Sequence, residues 1–218
     1  MSSVTLYRAS GLALLLGPVL FIIGGILAIV FTPVTPLGLV MIGVGTSGLV
    51  LLLLGLPSIV ARQASRAGWL GFVGFLLTFS GAFLFASSFV VVYLVINPWL
   101  NVHAPNVRDQ LLFTANSAVN VYGSVATGLF VVGLVLLGSA TMRARVFPQW
   151  AGLLFIVGVV VSGVSFLISI FGSGALVLNV ASGIGLVALV LVLLGFGWIG
   201  YALLTAKGEA VSQPALTS

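Results

Sequence analysis

The stretch LGLVMIGVGTSGLVLLLLGLPSIV, residues 37–60, runs for 24 residues without one charged side chain. A helix needs about 20 predominantly apolar residues to cross a bilayer, so this run is long enough to span. The same pattern recurs outward from it in both directions. Residues 9–31, 68–96, 112–140, 150–171 and 175–204 are equally free of charge. Composition agrees: 61% of the 218 residues are hydrophobic and 4% are charged, against roughly 25% charged in soluble domains. Backbone groups in lipid must bond internally, which leaves helices or closed barrels. Alternating strands of about ten residues are absent, so the expected fold is all-α: a polytopic transmembrane bundle of six spans.

Physical punctuation separates the runs. Thr32-Pro33-Val34-Thr35-Pro36 cannot continue a helix, because each proline lacks a donor and restricts its predecessor. Arg62-Gln63-Ala64-Ser65-Arg66 is too charged for hydrocarbon. Asn97-Pro98 is expected to end the third span. Residues 143–149 divide the fourth from the fifth, with Pro148 just before a helix start, where proline is tolerated. Phe171-Gly172-Ser173-Gly174 reads as a tight turn. The first span is long for a signal peptide and lacks a small-x-small cleavage site, so it is expected to be retained. Residues 1–207 read as one domain, and the polar stretch 208–218 as a disordered cytoplasmic tail.

The basic residues break up apolar runs instead of forming one polar face, a topology pattern and not a nucleic-acid one. Six spans put Arg8, Arg62, Arg66, Arg143, Arg145 and Lys207 on one side and Arg108, beside Asp109, on the other. The positive-inside rule then predicts both termini in the cytoplasm.

The chain also echoes itself. Arg8-Ala9-Ser10-Gly11, Arg66-Ala67-Gly68-Trp69 and Gln149-Trp150-Ala151-Gly152 open the odd spans. Leu54-Gly55, Leu137-Gly138 and Leu194-Gly195 recur in the even ones. Three tandem helical hairpins are expected, near residues 1–64, 65–147 and 148–204. The segments LYRASGLALLLG (6–17) and FPQWAGLLFIVG (147–158) resemble motifs in uncharacterised bacterial polytopic membrane proteins. That resemblance implies a bacterial inner-membrane protein and brings no catalytic residues with it.

Several chemistries lack their residues. With no cysteine, one histidine and two acids, thiolate chemistry, multi-histidine metal sites and paired-carboxylate catalysis have no ligands. The central parts of the spans hold no ionisable group of the kind that proton-coupled carriers, voltage sensors or retinal proteins need. Neither enzyme activity, a resident cofactor nor a metal is expected.

Polar residues inside the runs are the remaining candidates. Asn116, Asn120, Ser124 and Thr127 recur at helical spacing and define one face of the fourth span. Such a stripe is either helix glue, each bond worth about 0.6–2 kcal/mol, or the lining of a cavity for a neutral ligand. Ser87 on the third span and Asn179 on the sixth are expected to converge with it. On the fifth span, Gly158, Ser162, Ser165, Ser169 and Ser173 form a small-polar face suited to close packing. The one long loop, residues 97–111, carries His103, Arg108 and Asp109, too few ligands for tight zinc binding. Asn106 is expected to cap a helix there, and Trp99 to anchor at the interface. Arg62, Arg66, Arg143 and Arg145 form a basic interface on the opposite side, suited to anionic headgroups.

The leading expectation is therefore a non-catalytic accessory or structural subunit. Its partners would be the lipid bilayer and other integral membrane subunits or further copies of the chain, without nucleic acid. The alternatives are a transporter or channel for a small neutral or lipid-like molecule along the stripe, and a subunit that binds a lipid or pigment.

Overall fold

The computed structural model describes residues 3–31, 35–114, 117–171 and 175–205. Among them every element is helical: α1 (Ser3–Val30), α2 (Pro36–Ser88), a π-helical segment (Phe89–Ile96), α3 (Asn97–His103), α4 (Pro105–Phe113), α5 (Ala118–Ala144), α6 (Gln149–Phe171) and α7 (Ala175–Thr205). Among the described residues five helices are long and apolar enough to cross a membrane, and the longest of them, Pro36–His103, is kinked at Gly68. The chain is an integral membrane protein with an all-α bundle fold. Most of the turns around Pro33 and Gly172, and the tail beyond Thr205, lie outside the described residues.

The long helix starts at a cap and a proline. Thr35 Oγ1 accepts from the Gly38 amide at 3.1 Å, and Pro36 occupies the first turn, where its missing N–H costs nothing. The helix then passes through Arg62 and Arg66 without a loop and breaks its helical geometry only at Gly68, with φ 58° and ψ −154°. This region is accessible essentially to glycine alone. On either side of Gly68 the two arms take different neighbours. The first arm packs against α1, where Gly17 meets Gly48 and Leu14 meets Gly55. The second packs against α5, where Gly74 meets Leu137 and Gly81 meets Phe130. Gln63 and Gly71, one on each arm, both reach residues 140–141 of α5, so the chain turns back on itself at this end.

The remaining contacts close a ring. Gly138 of α5 lies against Gly152 of α6, Phe155 of α6 against Gly195 of α7, and Gly200 of α7 against Gly11 of α1. Neighbours are antiparallel throughout. A Cβ on Gly11 would come within 2.8 Å of the Gly200 carbonyl, and one on Gly17 within 2.8 Å of the Gly48 carbonyl. Backbones this close need residues without side chains, which explains much of the glycine content. The core is a continuous set of Leu, Ile, Phe and Val side chains from all the long helices, with Phe155 and Phe196 packed at 4.6 Å between ring centroids.

The third span does not end at Asn97-Pro98, and residues 97–111 are not a loop but two helices joined at Ala104. The helix widens into the π-helical segment and continues through Pro98 into α3. Proline removes a donor, and a local change from i−4 to i−5 bonding just before it accommodates the missing bond. The next helix, α4, begins with Pro105 in its first turn after Ala104. Asn106 is therefore inside that turn and does not cap it.

Candidate functional site

The stripe on the fourth span is interrupted. Thr114 is extended, and α5 starts at Ala118 with Ser117 as its cap, its hydroxyl accepting from the Asn120 amide at 3.2 Å. The span thus begins about a turn and a half later than the apolar run suggests. Asn120 sits in the first turn, and its Nδ2 donates to the Thr114 carbonyl at 2.6 Å. Its polarity serves the helix start, where backbone donors and acceptors lack intrahelical partners. Asn116 lies outside the described residues. Ser124 and Thr127 each donate to the carbonyl four residues back, at 2.8 Å, which satisfies the hydroxyl within its own helix. Ser87 lies 2.6 Å from the Tyr122 hydroxyl, joining α2 to α5. Asn179 is exposed on α7. On α6, Ser165 donates to the Ala181 carbonyl of α7 at 2.7 Å, an interhelical bond of the glue type. The Ser169 side chain and Ser173 lie outside the described residues.

Between the helices of the ring lies a partly open cavity of about 350 Å³. All the long helices wall it. Phe21 comes from α1; Leu49, Leu52 and Leu56 from the first arm of α2. Ala82 and Phe85 come from the second arm, followed by Phe89 of the π-helical segment. From α5 come Thr127, Phe130, Val131 and Leu134, and from α6 Gly158, Val159 and Ser162. On α7 Gly185, Ala188, Leu189, Val192, Leu193 and Phe196 complete the wall. Ala82 and Ala188 put small side chains on the wall, while Gly158 and Gly185 bring α6 and α7 close together, a Cβ on Gly158 meeting Val192 at 2.7 Å. Of the candidate stripe and its expected neighbours, Thr127 is the one described residue that lines it. None of the lining residues is ionisable, so a charged occupant would be desolvated without a counter-charge. Thr127 and Ser162 contribute two hydroxyls to an otherwise apolar wall.

Two buried amides stand apart from the cavity. Gln63 is fully buried; its Oε1 lies 3.3 Å from the Thr141 hydroxyl, which also reaches the Leu137 carbonyl at 2.8 Å. Asn97 is 1% exposed, and its Oδ1 accepts from Arg108 Nε at 2.7 Å. Among the described residues neither amide nitrogen has a partner. His103 stacks on Trp99 at 4.9 Å, and its Nδ1 lies 3.0 Å from the Trp99 carbonyl. The Asp109 side chain lies outside the description. Among the described residues no group of three potential metal ligands occurs.

At the opposite end, Arg62 is half-buried with its guanidinium 5.9 Å from the Phe147 ring centroid, within the range of a cation–π contact. Arg66, Arg143 and Arg145 are exposed. The last two line a groove of about 760 Å³ at the α5–α6 junction, with Ser139, Met142, Gln149, Trp150 and Leu153.

Comparisons with protein-family models, with curated proteins and with solved structures found no match.

Proposed function

We propose that this is a non-catalytic integral membrane protein that binds a small, uncharged, largely apolar molecule inside its helix ring. The observation that carries the reading is the central cavity, walled by every long helix and lined by two hydroxyls among apolar side chains. Its volume of about 350 Å³ falls within the range of small-molecule sites, roughly 300–1,000 Å³, and is about twice that of an engineered cavity that takes benzene. An acyl or isoprenoid segment, or a fused-ring molecule with one hydroxyl or carbonyl, fits that chemistry. This favours the ligand-binding alternative over a channel along the α5 stripe, because Asn120 is engaged at the helix start and Thr127 alone of that group meets the cavity. An accessory-subunit role rests on the glycine- and serine-rich helix faces, many of which pack within the bundle itself.

The same reading includes six crossings, one for each arm of α2 and one for each of the other four long helices. It includes three hairpins, each tightened by a glycine: Gly17 at Gly48, Gly74 at Leu137 and Gly158 at Val192. It places Arg8, Arg62, Arg66, Arg143 and Arg145 on the cytoplasmic side of a bacterial inner membrane, with both termini there, on the positive-inside rule.

The test is purification in mild detergent, solvent extraction of the protein, and mass spectrometry of the extract, for the wild type and for Ala82→Leu and Ala188→Leu. The expected result is a stoichiometric apolar molecule in the wild type that the folded, cavity-filled variants lack. Identical extracts from all three would refute the reading.

A further inference from the structure

We infer that the groove at the α5–α6 junction is a binding site for the phosphate of an anionic glycerophospholipid. The site is independent of the central cavity. Arg143 and Arg145, two guanidinium-bearing residues, line one groove together with Gln149. Guanidinium forks match phosphate oxygens in geometry as well as charge. Met142 and Leu153 add apolar side chains to the same lining, which an acyl chain can follow, as does Trp150, 70% exposed. A tryptophan of this exposure at a helix start suits the headgroup level. Charged and apolar residues in one lining match a phospholipid and not a soluble anion.

The backbone supports the same assignment. Arg145 has φ 52° and ψ 26°, and it is the one non-glycine residue with positive φ among the described residues. It follows the last residue of α5, and its amide bonds the Thr141 carbonyl at 3.3 Å. That position favours glycine. An arginine there accepts an unfavourable backbone conformation at a position that lines the groove together with Arg143.

The experiment is native mass spectrometry of the purified chain, delipidated and then offered phosphatidylglycerol or phosphatidylcholine with matched acyl chains. The variants are R143Q/R145Q, R145G and R66Q. Arg66 is exposed and does not line the groove, so R66Q controls for general surface charge. The wild type is expected to retain one phosphatidylglycerol with at least about tenfold preference, and the double variant to lose about tenfold or more in retention. R145G relaxes the backbone and keeps the fold, yet it is expected to weaken retention severalfold, which decides the matter if the double variant does not fold. The inference is overturned by equal retention of the two lipids, by R66Q matching the double variant, by wild-type retention in R145G, or by complete displacement with excess inorganic phosphate.

Discussion

Arg108 on α4 reaches back eleven residues to Asn97, its Nε donating to a buried amide oxygen at 2.7 Å. This bond ties α4 to the helix that emerges from the π-helical segment. Beside it Val92, Leu100 and Leu112 make a small apolar cluster. Arg108→Ala leaves the Asn97 oxygen buried without this donor and is expected to cost about 1–3 kcal/mol. Asn97→Leu removes the acceptor, and the double variant should cost less than the sum of the two, by about 0.5–3 kcal/mol. A double-mutant cycle from thermal unfolding in detergent measures the coupling. Additive effects would mean that the bond contributes nothing.

Gly68 isolates backbone conformation from packing. A Cβ there would meet nothing within 4 Å, yet φ is 58°. Gly68→Ala is therefore expected to destabilise by about 1–3 kcal/mol through conformation alone. Gly25 also has open space but no positive φ, and Gly25→Ala should be neutral or stabilising by up to about 1 kcal/mol. Unfolding of the two variants side by side would separate these outcomes; equal stability would contradict the assigned turn.

Gly48 answers to the opposite constraint. Its added Cβ would sit 2.5 Å from the Gly17 carbonyl, and backbone cannot move aside as a side chain can. Gly48→Val is expected to cost about 1–3 kcal/mol by overpacking and to push α1 away from α2. Cysteine pairs placed on the two helices, probed by crosslinking rate, would report the separation, and an unchanged rate would argue against close contact.

Ser117 and Asn120 together finish the start of α5. Ser117→Ala should cost about 0.5–2 kcal/mol, the usual effect of losing an N-cap. Hydrogen exchange over residues 118–122 should rise while exchange in the middle of α5 stays the same. A rise along the whole helix would mean that Ser117 acts through packing and not as a cap.

Much of the bundle was legible because hydrocarbon imposes a length on any apolar helix. The runs at residues 9–31, 150–171 and 175–204 fall within α1, α6 and α7, or within a residue of their ends. Legibility failed where a local signal has two physical outcomes. Pro98 usually ends a helix, but the π-helical segment before it lets the chain continue. The 4-4-3 spacing of Asn116, Asn120, Ser124 and Thr127 presupposes one unbroken helix, whereas Ser117 carried the cap signal that divides it. The Asn97–Arg108 bond crosses a helix junction, where spacing carries no geometric meaning. The cavity depends on how far apart helices stand across the ring, a distance that glycine contacts between neighbours determine and that no single run of residues records.

The ring has a temporal meaning as well. Each helix packs beside its neighbour in sequence, so most contacts form between segments synthesised in succession. A contact between helices far apart in the sequence is the seam where Gly11 meets Gly200. Until α7 is synthesised, the space between α1 and α6 has no wall, and six of the cavity-lining residues are missing. The cavity wall is therefore complete only once α7 is in place. The α1–α7 seam joins helices far apart in the sequence with no connecting loop between them, and it is held by backbone approach at Gly11 and Gly200.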